Sequence, residues 1–338
     1  MDNIQRLREK VKYPVLIFGE SNLRYFTGVA QSGVLIVDKE STILTHDAEL
    51  ARTSNVSSVI RVKKRTNEEL VKLLKGMEIR KLGANPMLLG EKLVKEMHAK
   101  KIKRIHISKA LDEMRAIKPD GEIKKIRMAC ELADEAMSEV RRGIRPGVSE
   151  RELRQRAMSV LVECEDVAFS FIVASGPNSE YTHISPTSRR ISLGEFVIID
   201  LGFKVDGYSS DLTRTFCISP SKEKKHFHDY VLEAQKKALE VVSPGAVCGK
   251  VYDRVLQFFK RDGSDAYWKY SLGHGVGLDV HESPMLSKDS KDRLKNGMTF
   301  TIEPGLHIPG FGGVRIEDTF LLDKKPIRLT DSEYSLEP

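Results

Sequence analysis

Residues 196–216 read FVIIDLGFKVDGYSSDLTRTF, with two β-like runs on either side of an Asp-Gly dipeptide. Asp206-Gly207 is a strong signal for a two-residue hairpin turn, because both residue types tolerate the positive φ that such a turn requires. With these residues as the turn, Val205 pairs with Tyr208, and the remaining pairs follow by counting outward. The stretch therefore predicts an antiparallel hairpin of defined register.

Two carboxylates share one face of this hairpin. Counting outward sets Asp211 opposite Gly202, and Asp200 lies two residues further along the same face. Because glycine has no side chain, the pattern predicts two carboxylates that project side by side with empty space between them.

A second hairpin repeats this construction in residues 298–320, MTFTIEPGLHIPGFGGVRIEDTF. If residues 309–313 form a five-residue loop, Glu317 faces Gly305, and Glu303 lies two residues along on that face. A different loop, or a bulge at the proline, would shift this register.

Four carboxylates on the inner faces of apolar strands must be protonated, exposed or neutralised by cations. Two divalent ions would cancel the four charges. The run SLGHGVGLDVHE at 271–282 adds His274, whose flanking glycines let backbone and ligand approach closely. A phosphate loop is disfavoured because its spacing and lysine are missing. Solvent-facing carboxylates would explain any one of these residues, but not two matched hairpins.

The chain has 338 residues, more than one core usually holds, so two domains are expected. Over residues 13–108, short β-rich runs alternate with helical stretches, which indicates an α/β domain. A turn-rich break at 118–121 precedes a helix expected over 122–142, whose apolar residues recur at helical spacing. We therefore divide the chain into domains 1–117 and 118–338.

Composition disfavours several other classes of protein. The net charge of +7 arises from 55 basic and 48 acidic residues spread over many helix faces, so no nucleic acid partner is expected. The four cysteines form no CxxC pair, and the N-terminus lacks the apolar stretch of a signal peptide. No run approaches the roughly 18 apolar residues of a membrane span. We expect a cytoplasmic protein without membrane contact.

The quoted motifs carry a family resemblance. DLGFKVDGYSSDLTRTF, SLGHGVGLDVHE, TIEPGLHI and GGVRIEDT follow one another in the second half, and YFTGVAQSGVLIVD lies in the first. The chain resembles the metallopeptidases that include prolidases, Xaa-Pro aminopeptidases and methionine aminopeptidases, which share the pita-bread fold. The resemblance implies an α+β protein with a C-terminal pita-bread domain and a smaller N-terminal α/β domain of the creatinase type.

The resemblance also implies a set of metal ligands. Asp211 and Glu317 would bridge two ions, Asp200 would bind one of them, and His274 with Glu303 would hold the other. Oxygen-rich ligation with one imidazole and no thiolate suits Mn(II) or Co(II), which we place first, and also Fe(II) or Zn(II).

Four residues are expected to serve catalysis. Glu303 would carry a proton from the attacking water to the leaving nitrogen. By resemblance, His183 contacts the substrate, while His281 and Arg315 contact the region of the scissile carbonyl and tune the metal site. As donors, the two histidines would stabilise the oxygen of a tetrahedral intermediate or orient the substrate.

Three positions stand apart from this pattern. Tyr270 occupies a position where prolidases and Xaa-Pro aminopeptidases usually have histidine. Met285 occupies one where many archaeal-type prolidases carry arginine, which bears on recognition of a dipeptide's free carboxylate. His307 shares the parity of Glu303, which would allow it to touch the site, but at a strand end we expect it to face solvent.

The sequence thus predicts an Xaa-Pro dipeptidase that cleaves the imide bond with a hydroxide bridging two divalent ions. An Xaa-Pro aminopeptidase acting on longer peptides is the alternative with the same catalytic residues. A binding protein that keeps the fold without catalysis is disfavoured by the complete ligand set. Proteins of this type are commonly homodimers, and we expect one here.

Overall fold

The computed structural model describes residues 2–30, 32–47, 52–61, 66–163 and 166–338. The chain forms two compact units, Met1–Arg115 and Ala116–Pro338. This division lies two residues from the one drawn between 117 and 118.

The first unit is an α/β domain, as the alternating pattern predicted. Its described helices are α1 (Asn3–Lys10), α2 (Glu20–Thr27), α3 (Thr66–Gly76), α4 (Glu91–Ala99) and α5 (Ser108–Ala116), the last of which ends at the division. Its strands are β1 (Val15–Phe18), β2 (Val34–Val37), β3 (Ser41–Thr45), β4 (Ser58–Arg61), β5 (Lys81–Ala84) and β6 (Lys103–His106).

These six strands form one sheet in the order β4-β3-β2-β1-β5-β6. The strands β1, β2 and β3 pair in antiparallel fashion, and the outer strands join in parallel. Apolar side chains of the sheet, such as Leu16 and Leu82, pack against Leu70 of α3 and Leu93 of α4. The core of this unit lies between the sheet and those helices.

The second unit contains more sheets and longer helices. Its helices are α6 (Asp120–Gly143), α7 (Glu150–Met158), α8 (Lys222–Leu239) and α9 (Cys248–Phe259). Its strands are β7 (Asp166–Val167), β8 (Ile172–Ser175), β9 (Phe196–Leu201), β10 (Phe203–Val205), β11 (Tyr208–Ser209), β12 (Leu212–Cys217), β13 (Gly273–Gly275), β14 (Glu282–Leu286), β15 (Thr299–Ile302), β16 (Gly305–Ile308), β17 (Gly312–Arg315), β18 (Asp318–Asp323) and β19 (Lys325–Arg328).

Two helix pairs pack on two sheets of this unit. Helices α6 and α7 cover the sheet β12-β9-β8, with Val140 and Leu153 in the same core as Ile199. Helices α8 and α9 share a core with the sheet β14-β13-β15-β18-β19, which includes Val231 and Phe300. An isolated antiparallel bridge between Thr213 and Glu317 joins the two sheets and brings their carboxylates together.

Helix α6 has the buried face that its apolar spacing predicted. The residues expected on that face are all buried: Ile126, Ala129, Ala133, Met137 and Val140. The next helix, α7, begins with a capping box in which Ser149 and Glu152 satisfy each other's backbone N–H groups.

The turn between the two helices has the same local structure in both pairs. The backbone N–H of Gly147 donates to the carbonyl of Ile191 at 2.8 Å, and that of Gly245 donates to the carbonyl of Leu294 at 2.8 Å. Both glycines follow a proline and have positive φ, at +84° and +90°. This repetition supports a pseudo-symmetric second unit, in which Arg145-Pro146-Gly147 and Ser243-Pro244-Gly245 occupy corresponding positions.

The described cysteines Cys130, Cys217 and Cys248 are free and buried, and Cys164 lies outside the described residues. None of the helices in the described ranges combines the length and apolar character needed to cross a membrane.

Candidate metal centre

The first carboxylate hairpin has the predicted register. Val205 pairs with Tyr208 across the Asp206-Gly207 turn, and Asp200 pairs with Thr213 beyond it. The pairing is interrupted at Gly202, but the register is the same on the two sides of this break. This register places Asp211 opposite Gly202, as predicted.

Gly202 has a different role from the one we expected. An ideal Cβ at this position would lie 2.1 Å from the carbonyl oxygen of Ser210 and 2.9 Å from the ring of Phe169. The glycine therefore permits close contact of backbone and aromatic ring, and the expectation of an empty gap was wrong.

The second hairpin has a shorter loop than predicted. Ile308 pairs with Gly312 and Gly305 pairs with Arg315, so the loop has three residues, 309–311, instead of five. The predicted facing of Glu317 and Gly305 was therefore wrong. A shift of two residues preserves parity, so the side chains keep their faces.

The same register continues below the hairpin. Ile302 pairs with Asp318 in the neighbouring sheet, three residues beyond the Gly305–Arg315 pair on each strand, so both pairs have the same register. Glu303 therefore lies opposite Glu317. The second pair of carboxylates consists of residues that face each other directly.

One cavity of about 450 Å³ gathers all the residues that the sequence selected. Its lining includes Asp200, Asp211, His183, His274, His281, Glu303, Arg315 and Glu317. Among these, Asp211, His274 and Glu317 each have a potential ligand atom within 4.8 Å of those of the other two. Asp200 and Glu303 line the cavity beside that group.

His274 lies between the carboxylates. Its Nε2 atom is 3.3 Å from Oε1 of Glu303 and 3.6 Å from Oδ2 of Asp211. Its Nδ1 atom is 3.1 Å from the carbonyl oxygen of Gly275, which fixes Nδ1 as the donor and leaves Nε2 directed at the acids.

The glycines around His274 act as predicted. An ideal Cβ at Gly273 would lie 2.1 Å from the carbonyl oxygen of Thr301, and one at Gly275 would lie 2.2 Å from that of Ser283. Strand β13 therefore fits between its neighbours only because both flanking residues lack side chains.

The cluster is electrostatically unbalanced without cations. Burial, and then repulsion from neighbouring carboxylates, raises the pKa of both Asp211 and Glu317 well above the usual range. Burial also opposes ionisation of Glu303, but a hydrogen bond with His274 and its attraction hold the pKa of Glu303 below the ordinary value. Burial lowers the pKa of His274, but the hydrogen bond with Glu303 and its attraction outweigh burial. The pKa of His274 is therefore raised above its ordinary value.

The donor set fits divalent metal ions. Oδ1 of Asp200 and Oε1 of Glu317 are buried and have no hydrogen-bond partner within the described chain. Buried carboxylate oxygens normally have partners, so two orphaned oxygens beside a histidine nitrogen are atoms that cations would satisfy. The absence of thiolates from the lining favours hard or borderline ions.

Two threonines orient the candidate ligands. Oγ1 of Thr213 donates to Oε2 of Glu317 at 2.6 Å. Oγ1 of Thr301 accepts from the backbone N–H of His274 at 3.2 Å and donates to Oε1 of Glu303 at 3.4 Å. Our reading of the sequence missed both residues, although Thr213 could have been found from its pairing with Asp200.

The candidate catalytic histidines lie in the same cavity. His183 lines its wall, and the ring centroid of His281 is 4.0 Å from that of His274. Burial, and then the nearby charge of His274, lowers the pKa of His281, which favours the neutral ring.

The prediction that His307 faces solvent was wrong. The residue is fully buried, and its Nδ1 donates to the carbonyl oxygen of Ser179 at 2.8 Å. A short 3₁₀ turn, Gly176–Glu180, covers this end of β16. The His307 ring also contacts the edge of Tyr270, with centroids 5.8 Å apart, and Tyr270 lines the cavity.

An apolar wall of the same cavity was also missed. It is formed by Phe169, Phe171, Ile172 and Ile184. The apolar run at 171–174 indicates a buried strand, but no short-range pattern relates that strand to the carboxylates.

Both units of the chain match known protein families. The profile of metallopeptidase family M24 matches residues 124–324, and that of the creatinase/prolidase N-terminal domain matches residues 4–117. The Xaa-Pro dipeptidase of Pyrococcus horikoshii is 37% identical over 332 residues, covering 95% of this chain and 93% of the relative.

Solved structures show the same two-domain architecture. The prolidase of Pyrococcus horikoshii superposes with a TM-score of 0.89 at 35% identity, covering 98% of each chain. An X-Pro aminopeptidase from Thermotoga maritima superposes with a TM-score of 0.90 at 28% identity, covering 100% of this chain and 99% of that one.

Proposed function

The chain belongs to metallopeptidase family M24, and on that premise we propose that it is an Xaa-Pro dipeptidase that hydrolyses the imide bond of dipeptides ending in proline. The observation that carries the proposal is the convergence of four carboxylates and His274 on one cavity that also has an apolar wall. The similarity to a curated Xaa-Pro dipeptidase supports the choice of substrate.

Five side chains would hold two divalent ions. Asp211 and Glu317 would be shared between the ions, Asp200 would complete one site, and His274 with Glu303 would complete the other. Mn(II) or Co(II) are our first candidates, and Fe(II) or Zn(II) also suit these donors. The ions would supply two things, a lower pKa for an attacking water and polarisation of the substrate carbonyl.

Glu303 is the proton carrier in this proposal. Its Oε1 atom lies next to His274, and the lowered pKa of its carboxyl keeps it ionised at neutral pH, so that it can accept a proton. It would accept a proton from the attacking water and deliver it to the leaving nitrogen. His183 and His281 line the same cavity and would donate hydrogen bonds to the carbonyl oxygen or orient the substrate.

The shape and polarity of the cavity suit a proline-containing substrate. An imide nitrogen has no hydrogen to donate, so the enzyme cannot bind the substrate through a backbone N–H at proline, as it could with an ordinary peptide bound as a β-strand. The apolar wall that includes Phe171 and Ile184 can instead bury aliphatic side chains and the pyrrolidine ring. Binding through burial of the pyrrolidine ring does not require the N–H donor that proline lacks.

An Xaa-Pro aminopeptidase remains a second candidate because of two observations. Arg315 forms an ion pair with Asp200 at 2.6 Å, so its charge is engaged within the metal site. Met285 is partly exposed and occupies the position where many archaeal-type prolidases have arginine. Both features reduce the positive charge available to bind a free carboxylate on proline. Only the dipeptide has that carboxylate, because in a longer peptide the carboxyl group of proline forms the next peptide bond.

Substrate comparison separates the two candidates. Ala-Pro and Met-Pro would be assayed beside a matched Xaa-Pro tripeptide, with manganese or cobalt added. The proposal predicts a higher kcat/KM for the dipeptides, and faster cleavage of the tripeptide would replace the dipeptidase assignment with the aminopeptidase.

Metal dependence tests the catalytic centre itself. Asp211→Asn should lose bound metal and leave activity below about 1% of the parent, because a shared ligand serves both ions. Asp206→Asn is a matched control in the same hairpin, where φ is +48° and asparagine is tolerated. Full activity of Asp211→Asn with parental metal content would overturn the two-metal proposal.

We also propose a homodimer and a cytoplasmic location for the enzyme. Light scattering after size-exclusion chromatography would determine whether the particle has twice the chain mass of 38.1 kDa.

A further inference from the structure

Close to the metal centre, the second unit contains a buried ion pair between Lys118 and Glu282. The Nζ and Oε1 atoms are 2.8 Å apart, and the two side chains are 1% and 8% exposed. Burying two charges costs hydration free energy, and in some proteins such a pair specifies a conformation. Neither residue lines the cavity or belongs to the proposed catalytic set.

The carboxylate of Glu282 fills the turn that follows His274. An ideal Cβ at Gly277 would lie 2.4 Å from Oε1 of Glu282, so the turn closes tightly around this side chain. The backbone N–H of Asp279 points to the other carboxylate oxygen at 3.4 Å. The turn ends at His281, the residue before Glu282, so the carboxylate shapes the segment that presents His281 to the cavity.

The backbone of Lys118 is held against the start of strand β15. Its N–H donates to the carbonyl oxygen of Gly297 at 2.8 Å, and the preceding residue, Ile117, forms an antiparallel bridge with Met298. Strand β15 then leads directly to Glu303. Lys118 thus connects the turn that carries His281 to the strand that carries the proposed proton carrier.

The ion pair holds the end of the turn that is next to His281. The ring centroid of His281 lies 4.0 Å from that of His274. Thr299 of β15 holds the start of the 276–281 turn through two bonds with Val276, at 3.1 and 2.5 Å, so the ion pair acts on the opposite end. Displacements of about 1 Å in a catalytic group can cost on the order of 100-fold in rate.

We infer that Lys118 is a positioning residue: through its ion pair with Glu282 it fixes the turn that presents His281 to the substrate. The inference rests on the proposed function for the role of His281. It predicts that the pair affects catalysis beyond its effect on folding.

The decisive variant removes both charges together. Lys118→Met/Glu282→Gln leaves no unpaired buried charge, so the protein should fold, whereas the single variant Lys118→Met leaves the carboxylate buried without its cation. Lys125→Met is the matched control, since Lys125 forms a partly exposed ion pair with Asp206 at 3.2 Å in the same unit.

Two readouts are needed. The first is the His281 side-chain resonance in histidine-labelled protein, recorded after chelation and again after loading with diamagnetic Zn(II). The chain has nine histidines, and His281→Gln identifies the signal. The second is the steady-state kinetics with Met-Pro at matched metal content.

In the double variant we expect a shifted or broadened His281 resonance, a kcat about tenfold lower, and a KM within about threefold of the parent. Lys125→Met should match the parent in every measurement. A folded double variant with the parental His281 resonance and parental kcat would overturn the inference, because the pair would then be purely structural.

The two proposals can fail separately. If the parent cleaves no Xaa-Pro substrate, the proposed function fails, but the resonance still reports whether the ion pair positions His281. If the parent is active and the double variant is indistinguishable from it, only the positioning role fails.

Discussion

The guanidinium of Arg315 donates from Nη2 to Oδ2 of Asp200 at 2.6 Å, and both side chains are buried. Burial raises the pKa of Asp200, while the arginine opposes this by stabilising the carboxylate. Nη1 of Arg315 also donates to the carbonyl oxygen of Thr182 at 3.1 Å, one residue from His183. A single guanidinium therefore holds a candidate metal ligand and the segment that carries a candidate substrate contact.

Arg315→Lys tests this double attachment. Lysine keeps the charge but has one compact ammonium group, so it cannot reach Asp200 and Thr182 at the same time. Because residues that orient metal ligands typically change metal affinity or activity by about 10- to 100-fold, we expect a loss in that range. Calorimetric metal titration and kcat/KM with Met-Pro would measure it.

Arg190→Lys is the control for that substitution, because the Arg190 side chain is 71% exposed and lies outside the cavity lining. It should change neither quantity. Parental metal affinity and parental kcat/KM in Arg315→Lys would show that positive charge alone suffices at position 315.

Arg214 provides a test of stability behind the site. Its side chain is fully buried and donates to Asp318 at 2.6 Å, to the carbonyl oxygen of Glu317 at 2.6 Å and to that of Thr213 at 2.9 Å. Arg214→Met leaves Asp318 as an unpaired buried charge, so the free energy of unfolding should fall by about 3 to 5 kcal/mol. Denaturant titration measures this change.

A surface arginine gives the comparison for Arg214. Arg141 pairs with Glu333, whose side chain is 73% exposed, so Arg141→Met should cost less than about 1 kcal/mol. Equal losses in the two variants would contradict the assignment of Arg214 to a buried network.

The hairpins show how far the sequence determines the site. The Asp206-Gly207 turn has a strong local signature, so the register that aligns Asp200 with Thr213 could be predicted from residues close in sequence. The loop at 309–311 has no such signature, because the glycines and proline around it allow several lengths. Its register was wrong by two residues, yet the faces of Glu303 and Glu317 were right because side-chain direction depends on parity alone.

The missed features depend on contacts between segments far apart in sequence. His307 is buried because the turn around Ser179, more than one hundred residues earlier, covers it. Lys118 pairs with Glu282 across a similar separation. Neither contact leaves a periodic or spacing signal in one sequence. The carboxylates and histidines that line the cavity could therefore be predicted, whereas the residues that support them could not.

His307 should make stability depend on pH. Burial, and then the charge of Arg315, lowers its pKa from 6.5 to about 4. A lowered histidine pKa means that the stability contributed by the neutral ring is fully present above pH 6.5 and is lost as pH falls toward 4. Between pH 7 and pH 5 the contribution of His307 to the free energy of unfolding should fall by about 2 kcal/mol.

His307→Gln removes this titration and can keep a donor for the carbonyl oxygen of Ser179. Its free energy of unfolding should fall less steeply than that of the parent between pH 7 and pH 5, as measured by urea titration at equal metal content. The exposed residue His226 supplies the control, since His226→Gln should follow the parent. Parallel curves for the parent and His307→Gln would refute this assignment.

Gly305 and Tyr270 should be energetically coupled. An ideal Cβ at Gly305 would lie 2.0 Å from Oη of Tyr270 and 3.0 Å from the carbonyl oxygen of Val314, so the phenol rests directly on the backbone after Glu303. Gly305→Ala should therefore cost about 1 to 3 kcal/mol of stability through overpacking, and should displace Tyr270 from the cavity wall.

A double-mutant cycle isolates the contact between Gly305 and Tyr270. Tyr270→Phe removes Oη, so Gly305→Ala/Tyr270→Phe should recover most of the stability lost by the single glycine variant, and thermal unfolding measures the coupling. Gly121→Ala is the control in helix α6, since nothing lies within 4 Å of its ideal Cβ. If the costs of the two single changes simply add, the clash involves Val314 rather than the phenol, and the proposed packing of Tyr270 on Gly305 is wrong.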